Sequence, residues 1–403
     1  MTSSKPSSKP SSKPSSEPPT KAPAKPPTKP PTKPDWSCLN DVRIIDLSQL
    51  LPGPHATLQL QQLGAEVIKV ERPGVGDTSR TLSASVFAQF NRGKRSVALD
   101  LQDAEGRAAF LELVRDADAV VEGFRPGVMQ RLGLDYAELA KVNPAIVLCS
   151  ISGFGQTGPY AGHAGHDLNY LALAGYWAAP VQVRDKVARP RVRVSDYAAS
   201  SYAALALTVA ILSARQHGRG QHLDVSIHDA VLSWTAHGAW AAQQHADAPL
   251  RSPTVMPEND LFETRDGRHL ALGILENKFW LNLRDALGEK FPSLMDPRFA
   301  ERAGRQRHKV EVNALLAQIF VSRTLAQWLD TLAGVDLPIS PGLNAEELLR
   351  DPHVQARGAV RQVSDPDQDR VAVRFPVRFS LGLPDGDDHV AALGEHAPSW
   401  SAD

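Results

Sequence analysis

"VRIIDLSQLLPGPHATLQLQQLGAEVIKVERP" (residues 42–73) switches pattern twice. "VRIIDLS" (42–48) is an apolar run of strand length, read as a buried strand. "PGPHATLQLQQLG" then reads as a helix: Pro54 suits the first turn, where no amide donor is needed, and Gly64 suits the C-terminal cap. "AEVIKVERP" returns to strand and stops at Pro73. Strand, helix and second buried strand make a βαβ unit, in which the strands run parallel.

The same rhythm continues outward. "SVALDL" (96–101), "DAVVEGF" (118–124) and "AIVLCSIS" (145–152) read as further strands. Between them lie "DAEGRAAFLELVRDA", a helix capped by Asp103, and the shorter helices "GVMQRLG" and "DYAELAKV". Alternation of this kind predicts an α/β fold with a mostly parallel sheet. From Asp196 to about Gln243 the pattern is helical around one short strand, "QHLDVSI". "LFETRDGRHLALGIL" (261–275) then predicts a hairpin turning at Asp266-Gly267, followed by helices over 277–288, 307–321 and 324–333. These are the parts of a smaller α+β domain. "VQARGAVRQV" and "RVAVRFPVRFS" read as strands again.

A chain of 403 residues exceeds what one core usually holds. The expected division is a tail over 1–35, a large α/β domain over 36–245, a small domain with linkers over 246–355, and a segment over 356–403 that rejoins the large domain. The tail repeats "SSKP" and "PPTK" and has nothing to bury, so a disordered, polyproline-like segment is expected. Its first 34 residues hold seven lysines against Glu17; without them 37 basic and 44 acidic residues remain, a net charge of −7. No aromatic residue interleaves those lysines, so specific nucleic-acid binding is not expected. The apolar run "YAALALTVAILSA" (202–214) is short for a bilayer span, which argues against a membrane partner. The N-terminus lacks an apolar signal region, and Cys38 and Cys149 stand far apart without metal-ligand spacing. A reducing cytoplasm is the expected location.

"SISGFGQTGPYAGHAGHDLNY" (150–170) carries the densest chemistry. Gly153, Gly155 and Gly158 have the spacing of a dinucleotide fingerprint, but Pro159 follows where a helix should open. His163 and His166 stand three apart in a Gly/Ala loop, without the partner spacing of a zinc site. A surface loop with incidental histidines is a further alternative. The reading that uses most of the residues places Asp167 as N-cap of "LNYLALAG", which fixes His166 at a helix mouth where amide donors stabilise developing negative charge.

"LLPGPHATLQLQQLGAEVIKVERP", "NRGKRSVALDL", "VVEGFRPGVMQRLGLDYAELAKVNPAIVLCSISGFGQTGP", "GRGQHLDVSIHDAV" and "LPISPGLNAEELLRDPHV" together resemble the family III CoA-transferases and α-methylacyl-CoA racemases. The resemblance implies a Rossmann-like large domain, a small domain, and a homodimer of two interlocked chains with active sites between them. It implies an acyl-CoA substrate, with coenzyme A entering as part of the substrate, no prosthetic group and no metal. By the same resemblance Arg72, Arg92, Lys94, Arg95 and Arg125 are candidates for CoA contacts, with Asp167 beside them. A net-acidic body needs local cations to hold such an anion.

Two chemistries share the family. In the transferases an Asp attacks the thioester and becomes an enzyme-bound thioester; Asp196 matches that position. In the racemases a His and an Asp face opposite sides of the α-carbon; "AGHDLNY" supplies His166, and Glu276 matches a Glu carried by the small domain. His166, Asp196 and Glu276 together make 2-methylacyl-CoA racemisation the expected activity and CoA transfer the alternative. Asp196 could also be only the N-cap of its helix, and Glu276 only a first-turn acid. The chain departs from the racemase pattern at "DYAASS" (196–201) and "TVMPENDLFET" (254–264), both at the acyl pocket.

Overall fold

The computed structural model describes residues 39–183, 187–364, 370–383 and 386–400. The Lys/Pro/Ser-rich segment 1–35 and Cys38 lie outside the described residues.

Strands β1 (Arg43–Asp46), β2 (Glu66–Glu71), β3 (Arg95–Ala98), β4 (Ala119–Glu122), β5 (Val147–Ser152) and β6 (His222–Ser226) form one sheet in the order 3-2-1-4-5-6. Every neighbouring pair is parallel. One face sets Ile44, Val67, Val121, Val147 and Cys149 against the helices Pro52–Gln62 and Val194–His217. The other sets Ile45, Ile68, Val120 and Leu148 against Phe110, Leu113 and Leu139. Helices cover both faces of the central strands, so β4 and β5 are buried throughout and show no polar/apolar alternation of exposure. The strand order reverses between β1 and β4, and in such sheets the crevice beyond the carboxyl ends at that reversal receives ligands.

The helix Val194–His217 has 24 residues, longer than its apolar run alone predicts. By length and composition it is the one described helix able to cross a bilayer, and half of its apolar window is buried in the molecule. Packing on the helix Pro52–Gln62 and on β5 accounts for that buried half.

A second core gathers Trp280, Trp328, Phe262, Phe320, Leu283 and Leu316 beside an antiparallel sheet of β7 (Asn259–Glu263), β8 (His269–Gly273) and β9 (Ile339–Pro341). The β7–β8 turn falls at Asp266-Gly267, where Gly267 has φ 69°. Two local expectations change. The helix expected over 307–321 breaks at His308 into Arg302–Arg307 and Lys309–Phe320. The strand expected from Val354 begins as a helix, Pro352–Arg357, because the Asp351 carboxylate caps His353 N and Val354 N at 2.9 Å each and Gly358 closes the end at φ 56°. Only Val360–Val363 (β10) pairs with Arg370–Val373 (β11).

Residues 386–400 lie along the outer strand of the parallel sheet. Gly93 N donates to His389 O at 2.8 Å and His396 N to Ser96 O at 2.9 Å. Trp400 is 8% exposed in the core beside Phe110 and Leu113, and its indole donates to Leu113 O at 2.8 Å. The segment therefore covers an edge that would otherwise present free backbone groups. Trp400→Ala is expected to cost about 3 kcal/mol, from the cavity and the orphaned carbonyl together. Denaturant unfolding checks this: a midpoint unchanged from wild type would show that the segment carries no stability.

Candidate active site

The loop after β5 is built around one phenol. A side chain at Gly153 or Gly165 would place its Cβ 2.6 or 2.7 Å from the Tyr170 ring, and Tyr170 Oη donates to Gly165 O at 2.5 Å. Gly155 turns the chain at φ 81°, and Gln156 N then donates to both Asp224 oxygens at 3.0 Å. No helix opens at Gly158, so the glycine spacing serves the seat of Tyr170 and the turn, not a pyrophosphate. Among the described residues no group of three or more His, Cys, Asp or Glu is placed to hold a metal.

The helix Asp167–Leu173 begins one residue earlier than expected: its N-cap is His166, whose backbone N–H donates to Asn169 Oδ1 at 3.0 Å. Asp167 is thus not the cap. Its carboxylate instead accepts from Ser195 N at 2.9 Å and from Ser195 Oγ at 2.6 Å. Those bonds tie the mouth of this helix to the mouth of Val194–His217. His166 precedes one partner and Asp196 follows the other, so the two residues are brought to one locality.

Asp196 lies in the first turn of its helix, whose N-cap is Arg193; a capping role is therefore excluded. It is 9% exposed, and its carboxylate accepts no hydrogen bond from any described residue. Burial, and next the charge of Asp167, push its pKa up to about 7, while Arg193 pulls the other way. Burial and then the Asp196 charge push Tyr170 up to about 12, with Arg125 opposing. A desolvated carboxylate with no hydrogen bonds is a strong nucleophile or base once ionised. His55 lies on the far side of Tyr197, its Nδ1 2.6 Å from Ser200 Oγ, and burial followed by the Lys94 and Arg92 charges lowers it to about 4. It is a neutral ring that packs one helix on the other.

Glu276 is elsewhere. It is the exposed N-cap residue of Asn277–Leu287, not a first-turn acid, and makes no capping bond. Asn277 is held by Arg305 at 2.8 Å, and Arg305 pairs with Glu258 at 2.7 Å, both fully buried. Lys309 and Asn313 add bonds to Ser252 O and Pro257 O, so "TVMPENDLFET" is a pinned turn. Among the described residues no hydrogen bond or ion pair joins Glu276 to His166 or Asp196.

Three of the expected CoA-contacting cations are otherwise engaged. Lys94, 3% exposed, bonds Asp46, Pro54 O and Asn91. Arg92 donates to Val373 O at 2.6 Å beside Asp388, and Arg95 bonds Glu66 and Ser399 O. They fasten β3 to the core and to the C-terminal segment, so none is free for a phosphate. Arg72 is exposed and lines a cavity of about 190 Å³ with Gln49, Leu101, Gln102, Phe124 and Val128, beyond the carboxyl ends of β1 to β4. Arg125, also exposed, follows Phe124. Ser195 and Tyr170 were not legible as site residues; only their partners in space, Asp167 and the two glycines, reveal them.

These features define an α/β protein of doubly wound order with a buried carboxylate at a helix mouth that no described residue hydrogen-bonds. The chain belongs to the CoA-transferase family III, whose model matches residues 39–396. It is 36% identical over 332 residues to "Acetyl-CoA:oxalate CoA-transferase" of Acetobacter aceti, covering 78% of this chain and 83% of that one. It is 33% identical over 373 residues to "Succinyl-CoA--D-citramalate CoA-transferase" of Chloroflexus aurantiacus, covering 89% and 92%. A crystal structure of a CAIB/BAIF family protein from Brucella suis superposes with a TM-score of 0.76 at 29% identity, covering 89% of this chain and 97% of that one.

A carboxyl whose folded pKa is raised binds its proton more tightly when folded, so its ionised form costs stability above pH 7 and nothing below pH 4. Asp196→Asn is therefore expected to stabilise the fold by ~1–3 kcal/mol at pH 8.5. The gain should vanish toward pH 4. Equal melting shifts at both pH values would mean that the carboxyl is not perturbed.

Proposed function

We propose that the chain is a CoA-transferase that moves CoA between an acyl-CoA and a carboxylic acid through Asp196. The observation that carries this is the burial of the Asp196 carboxylate without a hydrogen bond. The relatives named for transfer of CoA to oxalate and to D-citramalate support transfer over the racemisation that the His166/Asp196 pair first suggests. Both acceptors are carboxylic acids.

The cycle balances without an added reactant. Asp196 attacks the thioester carbonyl; the C–S bond breaks, giving an aspartyl–acyl anhydride and CoA thiolate. The thiolate attacks the aspartyl carbonyl and releases the donor acid as its carboxylate, leaving Asp196 as the CoA thioester. The acceptor carboxylate repeats the two steps in reverse and regenerates Asp196. In this reading an amide at a helix mouth would meet the oxyanions that form. In this reading the crevice beside Arg72 and Arg125 receives the nucleotide end of CoA.

A homodimer is part of the proposal. Leu205, Val209, Leu212, Trp234 and Trp240 are exposed on the helices Val194–His217 and Ile227–Gln243, an apolar surface suited to a second copy. A partner's small domain would then bring Glu276 to the site. Sedimentation of the full chain should give a dimer; a monomer at micromolar concentration would sink this part.

Incubation with acetyl-CoA or succinyl-CoA, then borohydride or hydroxylamine, should trap an enzyme-bound CoA thioester that is absent in Asp196→Ala. Turnover of that variant should fall by roughly 10⁴-fold or more. Thioester formation should rise about tenfold per pH unit up to the Asp196 value of about 7 and then level. His166 beside Asp196 favours racemisation as the second reading. Uptake of deuterium at the α-carbon of a 2-methylacyl-CoA, lost in His166→Ala and without any trapped thioester, would replace the first reading with the second.

A further inference from the structure

Arg193 stands out among the cations of the molecule. It is the N-cap residue of Val194–His217, three positions before Asp196, and it is exposed. Its guanidinium makes no hydrogen bond or ion pair with any described residue. Arg189 and Arg191 share these properties, and in "RPRVR" (189–193) the three arginines occupy alternate positions of a non-helical run. Trp177 Nε1 donates to Ala188 O at 3.1 Å and anchors its start, while Val194 N bonds Val192 O at 3.0 Å and fixes its end. Many other arginines are held by internal partners, Arg80 by Glu71, Arg92 by Val373 O, Arg215 by Asp41 and Asp118, and Arg268 by Glu347, whereas Arg72 and Arg125 are exposed like Arg193. In a body of net charge −7, an unspent arginine row leading into the nucleophile is a feature to explain.

Resting on the transferase reading, we propose that Arg193 is the specificity residue for the acceptor: it holds the second carboxylate of a dicarboxylic acid while the first meets the Asp196 thioester. Three facts converge on this. The guanidinium reaches the field of Asp196, whose raised pKa it opposes, yet pairs with nothing itself. A planar fork suits a carboxylate, which it grips through two parallel bonds. The acceptor must arrive as an anion at a site already holding the charges of Asp167 and of CoA, so a fixed cation is needed to offset that repulsion. Arg191 and Arg189 extend the attraction outward and steer the acid inward. A monocarboxylic acid of the same length leaves Arg193 unpaired and gains only the steering.

The test pairs glutarate with pentanoate as acceptors, on the full chain at pH 8.5, above the Asp196 value of about 7. Arg193→Gln should raise the glutarate KM by about 10- to 100-fold, the worth of one charge-assisted pair, and leave the pentanoate KM within about twofold. Arg193→Lys should lie between. The trapped thioester from the acyl-CoA donor should form at the wild-type rate. A KM rise equal for both acids, or one that falls on the acyl-CoA instead, overturns the proposal. A second arm needs no turnover: phenylglyoxal labelling read by peptide mass spectrometry should show Arg193 protected by glutarate and not by pentanoate. Equal labelling overturns the proposal as well. Absence of any trapped thioester in the wild type would instead end the transferase reading, with the labelling arm still deciding on Arg193.

Discussion

The carboxylate of Asp46, at the end of β1, holds together everything at the ligand-facing edge of the sheet. It accepts from Lys94 Nζ at 2.9 Å, Thr57 Oγ1 at 2.8 Å and the amide and hydroxyl of Ser48. Lys69 bonds Ser48 O at 2.7 Å and pairs with Asp77 at 3.0 Å; Asp77 N in turn bonds Glu71, which Arg80 grips with two nitrogens. Burial alone would push Asp46 up; Lys94 and Lys69 overcome it and hold the acid far below its ordinary range. Removing either partner of such a pair costs about 3–5 kcal/mol, because the survivor is left charged and dry. The chain of pairs fixes the turn after β1, where Leu50 is held at φ 65°, the one non-glycine among the described residues in the left-handed region. Its amide donates to Asp77 at 3.2 Å. That turn and Asp77 border the crevice at the strand-order reversal, so the paired charges of Lys69, Glu71 and Asp77 shape its wall.

Lys94 shows why the fold was legible in the sequence and much of the site was not. Strands buried on both faces announce themselves as apolar runs bounded by Gly and Pro, and the βαβ order follows from their alternation with helices. Charged residues carry no such signature. "NRGKRS" has the look of a phosphate cradle, yet each of its cations finds an internal acceptor that is remote in sequence: Asp46 for Lys94, Val373 O for Arg92, Ser399 O for Arg95. The same holds for the helix at 352–357. Its start is set by a single capping carboxylate, a local choice that apolar patterning does not register.

Asp167 and Asp196 make the point in one pair. Both are buried first-turn acids of helices, and sequence cannot rank them. The folded molecule gives Ser195 to Asp167, whose charge is thereby satisfied and fixed. Asp196 receives no donor from a described residue, and burial and the charge of its neighbour raise its pKa to about 7. The two carboxyl groups thus stand in contrasting environments, one hydrogen-bonded and one not, the kind of contrast that separates the roles of paired acids.

That division also bears on the kind of chemistry. Inversion at a carbon needs a second base held over the opposite face; His166 is exposed at its helix mouth, where it is the N-cap of a capping box with Asn169. Transfer of CoA asks less of the histidine and more of the aspartate. No proton moves in the cycle; each step exchanges one acyl bond for another, and each nucleophile is already an anion. The demand is for a carboxylate whose lone pairs are not tied up in hydrogen bonds, backed by amide dipoles that meet the oxyanion as it forms. Ser195, by engaging Asp167 through both its amide and its hydroxyl, keeps those donors away from Asp196. The serine therefore leaves the Asp196 carboxylate without a donor among the described residues at the junction of the two helices.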